Sequence, residues 1–416
     1  MWKRWRIRIL LFLAVLGPGF ITANVDNDSG GIFTYSQAGA QYGYTLLWTM
    51  IPITIALIVV QEMCSRMGVV TGKGLSDLIR EEFGLRLTFI MMVLLVVLNY
   101  TNVVTEFIGI AGSLHLFHVS KFISVPICAF LVWALVLKGD YKSTEKIFLV
   151  ASLVYIAYIF GGVLAHPDWH EALLATVKLP AKSVWRDKTY IYMAIGVVGT
   201  TIAPWMQFYL QSSVVEKGIP VKDYGASRLD VIVGCFFTDL IAWFIVVACA
   251  ATLFVHGMGA IQVAADAAEA MRPLAGDYAF LLFAFGLFNA SLFAASILPL
   301  STAYTVCEGL GVESGVDKSF KEAPFFYWLY TALIVGGAAT VLVLPDAQLI
   351  NVAILSQVLN GVLMPVVIIP MLLLINRKDL MGEHRNSRLW NVIAWATSVI
   401  VIVMTGVMLW GMVPGH

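Results

Sequence analysis

Charged residues are scarce in this sequence. Asp, Glu, Lys and Arg make up 12% of its 416 residues, against about 25% in soluble domains. Their formal net charge is zero, so an extended basic surface for nucleic acid is not expected. Because 60% of the residues are apolar and the mean hydropathy is +0.85, the composition indicates an integral membrane protein that contacts the lipid bilayer along most of its length.

Motifs of several other protein classes are also missing. The sequence has neither HExxH nor GxSxG, which are common signatures of an intramembrane enzyme, so we predict no catalytic residues. No small-residue cleavage site follows the N-terminal apolar run, which favours a retained first helix over a removed signal peptide. The cysteines lack CxxC or metal-ligand spacing and are predicted to be buried packing residues; they are Cys64, Cys128, Cys235, Cys249 and Cys307.

Apolar stretches long enough to cross a bilayer recur from one end of the chain to the other. A hydrocarbon core about 30 Å thick needs roughly 20 apolar residues per helix. We therefore predict an all-α membrane protein with eleven transmembrane helices in a single domain covering residues 1–416. The predicted spans lie at about 9–44, 45–65, 88–114, 120–138, 147–165, 190–214, 229–256, 275–308, 325–344, 348–375 and 389–412.

The basic residues are distributed unevenly between the two sides of these spans. If the N-terminus is cytoplasmic, 20 of the 26 Lys and Arg residues fall in inside segments. Four of the remaining six lie in one long external loop, between the fifth and sixth spans. The excess of positive charge on one side predicts a multi-pass protein of the cell (inner or plasma) membrane, with a cytoplasmic N-terminus and an external C-terminus.

The first span contains polar residues at mid-membrane depth. Between Gly17 and Ile32 it holds two carboxylates, two amides and two adjacent glycines. Such residues favour turns and caps over helix interiors, so the helix is predicted to unwind from Asp26 to Gly31 and to restart at Ile32. Broken backbone at this depth is tolerated only where it lines an enclosed cavity. The alternative is a polar loop that joins two short spans.

The sixth span has a second interruption. It reads Gly199-Thr-Thr-Ile-Ala-Pro-Trp-Met-Gln207, in which Pro204 lacks a backbone donor and disfavours helical geometry at Ala203. A simple proline kink is the alternative. Breaks in the first and sixth helices occupy matching positions in two five-helix halves, which is typical of inverted-repeat transporters with a midplane substrate site. The predicted repeats cover about 9–165 and 190–375, and helix eleven at about 389–412 is additional.

The broken segments carry negative charge without a basic partner. A carboxylate at the bilayer centre costs about 3 kcal/mol on insertion scales, and neither broken helix contains Lys or Arg near Asp26 or Asp28. A cation from solution is the natural partner, and unwound backbone carbonyls could add oxygen ligands. All seven histidines fall in predicted loops, span ends or the terminus, so an imidazole-based site is not expected. We predict no cofactor, no nucleic acid and no obligate protein partner.

Several stretches resemble the Nramp family of divalent metal transporters. Asp28-Ser-Gly-Gly31, followed by Gln37-Ala-Gly-Ala-Gln-Tyr-Gly-Tyr44, is similar to the family's first-helix motif and the segment after it. The stretches from Gln61 to Gly84, from Glu106 to Gly109 and from Leu355 to Val358 resemble its second, third and tenth helices. The resemblance implies the broken-helix inverted-repeat fold (the LeuT type of amino-acid transporters), inward metal movement and, usually, coupling to protons.

The departures from the family pattern bear on the transported metal. By this resemblance Asp28 takes the place of the metal-binding aspartate, whereas Gly31 replaces an asparagine and Ala203 replaces a methionine. A site with a carboxylate, extra volume and no sulfur suits a hard cation that keeps its waters, such as Mg²⁺. The pattern therefore resembles the Nramp-related magnesium transporter branch, with Mn²⁺ as a further substrate. Met206 could still supply a sulfur if the helix restarts in a shifted register.

Other candidate ligands follow from the same comparison. They are the Thr200 carbonyl, the Gln357 side chain and Asp26, although Gln357 could instead bridge two helices and Asp26 could line a vestibule. Residues assigned to the pathway or to the surroundings of the metal are Asn24, Asn27, Glu106, Trp205, Met206 and Asn360. The roles of Asp239 and Asn289, and whether Asn360 faces the pathway, are left open.

Proton coupling is predicted to be lost. The family pattern places a histidine after the Met-Pro pair and an aspartate three residues before the third-helix glutamate; here Trp205 and Val103 stand there, and Glu106 remains. A proton relay needs titratable groups along the path, so we predict Mg²⁺ uptake by alternating access without protons. The alternatives are a proton-coupled Mn²⁺/Fe²⁺ symporter, a sodium-coupled amino-acid transporter of the same fold, an intramembrane enzyme and a purely structural membrane protein.

Overall fold

The computed structural model is helical throughout the part of the chain that it describes, which is residues 17–138, 147, 149–152, 154–257, 259, 261 and 264–412. Residues 9–16 of the first predicted span and residues 139–146 beside the fifth lie outside this part. The helices, numbered in chain order, are α1 (Pro18–Val25), α2 (Ser29–Tyr42), α3 (Met50–Thr71), α4 (Leu75–Phe83), α5 (Leu85–His115), α6 (Lys121–Lys138), α7 (Ile156–Leu164), α8 (Trp169–Val177), α9 (Lys188–Thr201), α10 (Pro204–Glu216), α11 (Tyr224–Cys249), α12 (Ala264–Leu310), α13 (Pro324–Val343), α14 (Leu349–Ile375), α15 (Lys378–Met381) and α16 (Arg388–Met412).

Short turns of other helical types join some of these elements. A 3-10 helix at Gly43–Thr49 links α2 to α3, and a π-helical turn at Ala250–Phe254 extends α11. Further single 3-10 turns lie at Val184–Arg186, Val221–Asp223, Asp346–Gln348 and Gly382–His384.

Length and hydropathy identify the helices that can cross a membrane. Within the described ranges, eight helical segments are long and apolar enough, and a ninth span is possible where α7 and its preceding turns meet α8 at an angle of 116°. Helix α6 is apolar but shorter. The chain is thus a multi-pass helical protein, while the number eleven stays a prediction.

The broken helices occupy the middle of the bundle. Helix α1 packs against α11, and α2 is surrounded by α11, α9, α14 and α5. Every residue of α1 is buried, although Asn24 and Thr22 are polar, because other helices and not lipid surround it. Helix α16 lies at the periphery, because only 17% of its most apolar stretch is buried within the protein.

A close approach of two helices requires glycine at position 199, beside the second break. A β-carbon on Gly199 of α9 would overlap the backbone of Gln357 and Gly361 on α14. Glycine at this position therefore lets α9 and α14 pack backbone to backbone. This contact brings the end of α9 next to the part of α14 that carries Gln357.

The structure differs from the predicted spans at several boundaries. The second span begins as a helix at Met50, not at 45, because a 3-10 segment precedes it. The predicted external loop between spans five and six contains helix α8, whose N-terminus is capped by the Asp168 carboxylate through the amide of Glu171 at 3.0 Å. The prediction for the cysteines is confirmed, since all five are buried and free.

Candidate metal site at the two helix breaks

The first break is shorter than predicted. Helix α1 ends in tight i to i+3 hydrogen bonds, from the Asp26 amide to the Ala23 carbonyl and from the Asn27 amide to the Asn24 carbonyl, each 3.2 Å. The chain restarts as α2 at Ser29, so the prediction of unwinding through Gly31 with a restart at Ile32 is wrong. Only residues 26–28 separate the two half-helices.

The Asp28 side chain explains the early restart. Its backbone is extended, and its Oδ1 atom accepts a hydrogen bond from the Gly31 amide at 2.6 Å. This is an N-cap, which satisfies one of the free amides at the start of a helix. The carboxylate also lies at the positive end of the α2 dipole, which favours a negative charge there. Asp28 is therefore held at the break, with its second oxygen atom not committed to the cap.

The second break is confirmed between α9 and α10. Helix α9 ends at Thr201, and Ala203 adopts an extended conformation, as expected for the residue before Pro204. The backbone amide of Met206 donates to the Ala203 carbonyl at 3.2 Å. The Ala203 carbonyl is thus engaged within its own helix, and its methyl side chain offers no donor atom.

The two breaks meet at Gly31. A β-carbon on this residue would lie 2.6 Å from the carbonyl oxygen of Asp26, 3.1 Å from Thr200 Oγ1 and 3.4 Å from Asp28 Oδ1. Three oxygen atoms from the two broken helices therefore converge on the space that glycine leaves open. The predicted contribution of Thr200 was its carbonyl; the atom that faces Gly31 is its hydroxyl oxygen.

Gln357 lies beside the first turn of α2. A β-carbon on Gly30 would overlap its side-chain amide, so α14 contacts the start of α2 directly. The Gln357 Oε1 atom accepts a hydrogen bond from the Asn360 side-chain amide at 2.8 Å. Asn360 in turn exchanges hydrogen bonds with Asn102 of α5 at 3.0 and 3.2 Å. Gln357 thus adjoins the break and also belongs to a network between α5 and α14. Asn360 pairs within the bundle.

Glu106 of α5 accepts hydrogen bonds from the first residue of α2. Its Oε2 accepts from the Ser29 amide at 3.2 Å and from the Ser29 hydroxyl at 3.0 Å. The Ser29 hydroxyl also donates to the Thr105 carbonyl at 2.8 Å. A carboxylate at a helix N-terminus is stabilised by the helix dipole, so Glu106 supports the α2 terminus, while its Oε1 is buried without a partner.

Buried oxygen atoms without hydrogen-bond partners are concentrated around the breaks. Burying a polar group without a partner is costly, and such groups in native structures need an explanation such as an ion or water. Seven of these oxygens come from five residues, in addition to Glu106 Oε1. They are Asn24 Oδ1, both carboxylate oxygens of Asp26, Asn27 Oδ1, Thr200 Oγ1 and both carboxylate oxygens of Asp239.

Comparison with known protein families identifies the family of this chain. The family described as "Nramp: Natural resistance-associated macrophage protein-like" matches residues 19–411. The chain belongs to the Nramp family. It is 27% identical over 422 residues to a protein of Deinococcus radiodurans named divalent metal cation transporter MntH, covering 98% of this chain and 91% of that protein.

Solved structures show that the Nramp chain has the LeuT-type fold. It superposes on an Eremococcus coleocola manganese transporter with a TM-score of 0.76 at 20% identity, covering 97% of this chain and 89% of that one. A Na⁺-coupled sialic acid symporter gives a TM-score of 0.57 at 10% identity, covering 94% and 89%. These similarities support the fold with broken first and sixth helices, and at such identities they show nothing about substrate.

Two of the predicted pathway residues of this Nramp protein have structural partners. The Asn27 amide donates to the Thr238 carbonyl at 3.0 Å and to its hydroxyl at 2.6 Å, which ties the first break to α11. The Asn24 amide donates to the Phe20 carbonyl at 2.7 Å within α1. Both side chains therefore anchor the break through nitrogen and leave an oxygen uncommitted.

The residues after the second break are packed into the core. Trp205 is fully buried, and its carbonyl accepts from the Ser301 hydroxyl at 3.0 Å. Met206 is also fully buried, among apolar neighbours. The three atoms nearest to a β-carbon on Gly31 are all oxygens, and a contribution of the Met206 sulfur stays a prediction.

Of the two aspartates of α11, sequence reasoning missed Asp230 and left the role of Asp239 open. Asp230 accepts three hydrogen bonds from the start of α1, from the amides of Gly17 and Gly19 at 2.8 Å and of Phe20 at 3.1 Å. Asp239 is buried, with both oxygens unpartnered. Their isolation on one apolar helix was a signal of function or burial, but the sequence did not indicate which element they face.

The site of this Nramp protein contains few strong ligands. Among the described residues, no three His, Cys, Asp or Glu side chains are arranged as a metal-binding cluster. The convergent oxygens around Gly31 comprise one carboxylate, one hydroxyl and one backbone carbonyl. This donor set fits a hard cation that retains water ligands better than a soft metal that needs nitrogen or sulfur.

Proposed function

We propose that this Nramp protein transports divalent metal ions, which bind where the two helix breaks face each other. The observation that carries the proposal is the convergence of Asp26, Asp28 and Thr200 oxygens on the space beside Gly31. Oxygen-rich, negatively charged and buried surroundings favour a cation. Relatives named divalent metal cation transporter support this substrate class.

Mg²⁺ is the preferred substrate in this proposal, with Mn²⁺ also carried. Gly31 and Ala203 contribute no side-chain donors, so the ligands that face the site are oxygens. Mg²⁺ dehydrates reluctantly and is usually bound through one or two carboxylates and several waters. These features support assignment to the magnesium-transporting branch of the family. Mn²⁺ is included because it also accepts oxygen ligands and because one similar structure is a manganese transporter.

Transport is proposed to proceed without protons. Trp205 and Val103 do not titrate, and Glu106 is engaged with Ser29. Two charges crossing a potential of 100 mV gain about 4.6 kcal/mol, which is sufficient drive for inward Mg²⁺ movement. We place the N-terminus in the cytoplasm, so uptake runs from the side on which α5 ends and α14 begins.

A cavity on that side supports an access route. Its volume is about 410 Å³, and it lies between the C-terminal part of α5 and the start of α14, with Ile108, His115 and Ile350 in its wall. Ile108 is two residues beyond Glu106, and Ile350 precedes Gln357 by two turns of α14. The cavity thus lies between the two helices that carry Glu106 and Gln357, at their predicted external ends.

A proton-coupled Mn²⁺/Fe²⁺ symporter is the second candidate. One observation favours it: Glu106 retains a buried oxygen without a partner close to the start of α2, and such a group could accept a proton. The names of the relatives agree with this candidate equally well. A sodium-coupled amino-acid transporter is less favoured, because Asp26 and Asp28 would repel the substrate carboxylate.

Uptake by purified protein in liposomes tests these alternatives. At a fixed membrane potential, Mg²⁺, Mn²⁺, Ca²⁺ and Na⁺ compete for entry, and a pH-sensitive dye reports the lumen. We expect Mg²⁺ and Mn²⁺ to enter without acidification. Acidification in proportion to metal entry would establish the symporter. If none of the divalent ions entered, the proposed function would be removed.

A further inference from the structure

Asp239 and Asp26 are buried acids without compensation. Their residues are 4% and 2% exposed, and all four carboxylate oxygens lack a hydrogen-bond partner among the described residues. An ionised carboxylate at membrane depth is expensive unless a charge or donor neutralises it. Asp230, on the same helix, shows the contrast, because three backbone amides satisfy it.

The first break and α11 are held together beside these acids. The Asn27 amide nitrogen donates twice to Thr238, the residue immediately before Asp239. Asp26 immediately precedes Asn27 and Asp239 immediately follows Thr238, so these two hydrogen bonds join the chain segments that carry both acids. The tether therefore brings two like charges into proximity, an arrangement that is unfavourable in the absence of a cation.

A third oxygen adds to this arrangement. Asn27 is fully buried, and since its nitrogen is occupied by Thr238, its Oδ1 is left without a partner. An amide oxygen is a neutral ligand of the kind that hard cations accept. The nearby hydroxyls offer little further compensation: Tyr35 pairs with Thr201 at 2.7 Å, and Thr54, which lies beside the Asp239 carboxylate, donates its hydrogen to the Met50 carbonyl at 2.7 Å.

We propose that Asp26, Asn27 and Asp239 form a second divalent-cation subsite between the first break and α11, next to the subsite of Asp28. The inference rests on the proposed function, because it assumes that divalent cations reach the break. Two carboxylates match the charge of one hydrated dication, whereas Na⁺ would leave one negative charge uncompensated. The Asp28 subsite uses Thr200 of α9 and the Asp26 carbonyl, while this one uses α11 and the Asp26 carboxylate, so the two ions have different ligand atoms.

Counting bound ions in purified protein tests the second subsite. Titration calorimetry and equilibrium dialysis with Mg²⁺, repeated with Mn²⁺, should give two ions per chain for the natural protein and one for Asp239→Asn. The matched control is Asp230→Asn, which removes a buried charge from the same helix but should still bind two. One ion in the natural protein, or two in Asp239→Asn, would overturn the proposal.

The same measurements separate this inference from the proposed function. Asp28→Asn should lose transport yet retain one bound ion at the α11 subsite. If Asp28→Asn transports normally, the proposed function fails whatever the ion count. If Na⁺ at equal ionic strength displaces the second Mg²⁺ completely, the subsite is monovalent and the divalent assignment fails.

Thermal unfolding in detergent provides a readout that does not depend on transport. Without metal, Asp239→Asn should melt at a higher temperature than the natural protein, because it lacks one repelling charge. Saturating Mg²⁺ should raise its melting temperature by only about half as much as that of the natural protein, since ligand stabilisation sums over the sites occupied. Asp26→Asn should show the same two effects as Asp239→Asn: a higher melting temperature without metal and a smaller shift with Mg²⁺. Equal Mg²⁺-induced shifts in all three proteins would contradict the subsite.

Discussion

Thr200 and Gly31 face each other across the two helix breaks, with the Thr200 hydroxyl oxygen 3.1 Å from the position of a β-carbon on Gly31. Residues separated by most of the first half of the chain therefore share one small space. Because glycine leaves this space open, the oxygens of Asp26 and Asp28 can also face it. The identity of residue 31 consequently affects both the shape and the ligands of the site.

Substitution at Gly31 and Ala203 should change metal preference. Gly31→Asn combined with Ala203→Met adds an amide oxygen and a sulfur, so uptake should tilt from Mg²⁺ toward Mn²⁺. The Asp26 carbonyl lies 2.6 Å from the new β-carbon, so its peptide must shift. Gly31→Ala is the control for this steric effect and should weaken Mg²⁺ uptake without favouring Mn²⁺. Unchanged selectivity in the double variant would refute the argument from missing ligands.

Asp28 should be essential for metal uptake. Asp28→Ala removes both the ligand and the helix cap, and we expect uptake in proteoliposomes to fall to background. Asp28→Asn keeps an oxygen for the Gly31 amide but removes the charge, and it should be equally inactive. The control is Asp379→Ala, which removes an exposed carboxylate paired with Arg377 far from the breaks. An active Asp28→Asn protein would mean that Asp28 serves only as a cap.

Asp230 should stabilise the start of α1. Asp230→Ala leaves three buried amides without an acceptor, and since each costs roughly 1–3 kcal/mol, the loss should be at least ~3 kcal/mol. Asp230→Asn retains one acceptor oxygen and should lose less. Melting temperatures in detergent at fixed protein and lipid concentration report the difference. Equal stability of Asp230→Ala and the natural protein would show that other groups hold this terminus.

Asp187 should make the stability of α9 depend on pH. Hydrogen bonds from the Thr189 hydroxyl and amide, at 2.6 and 2.9 Å, lower the pKa of this N-cap carboxylate below its ordinary value. A lowered pKa contributes stability above the unfolded pKa of about 4, and this contribution disappears as the pH falls through the folded pKa.

The measurement for Asp187 is a comparison across pH. The natural protein should melt at a higher temperature than Asp187→Ala at pH 7, and the difference should shrink below about pH 4. Asp187→Asn can still cap the helix but does not titrate, so the difference in melting temperature between it and Asp187→Ala should change little with pH. A difference between the natural protein and Asp187→Ala that grows on acidification would contradict the assignment.

The helix breaks were accessible from the sequence because their causes are local. Asn, Asp and Gly in succession disfavour a helix interior, and Pro204 prevents helical geometry at Ala203 whatever surrounds it. The restart was misplaced by three residues because the Asp28 cap depends on a side-chain rotamer that composition does not reveal. Family resemblance, and not local chemistry, indicated that Gly31, Thr200 and Gln357 belong near Asp28.

The membrane class, the two breaks and the negative charge between the half-helices can be read from the chain alone, since they follow from hydropathy, turn chemistry and composition. The folded structure was needed to show that the Thr200 hydroxyl faces Gly31, that Asp230 caps α1, and that Asp239 is buried near the first break. These contacts join residues up to 213 positions apart. They depend on how helices rotate and pack against one another, and no local pattern in the chain encodes that rotation.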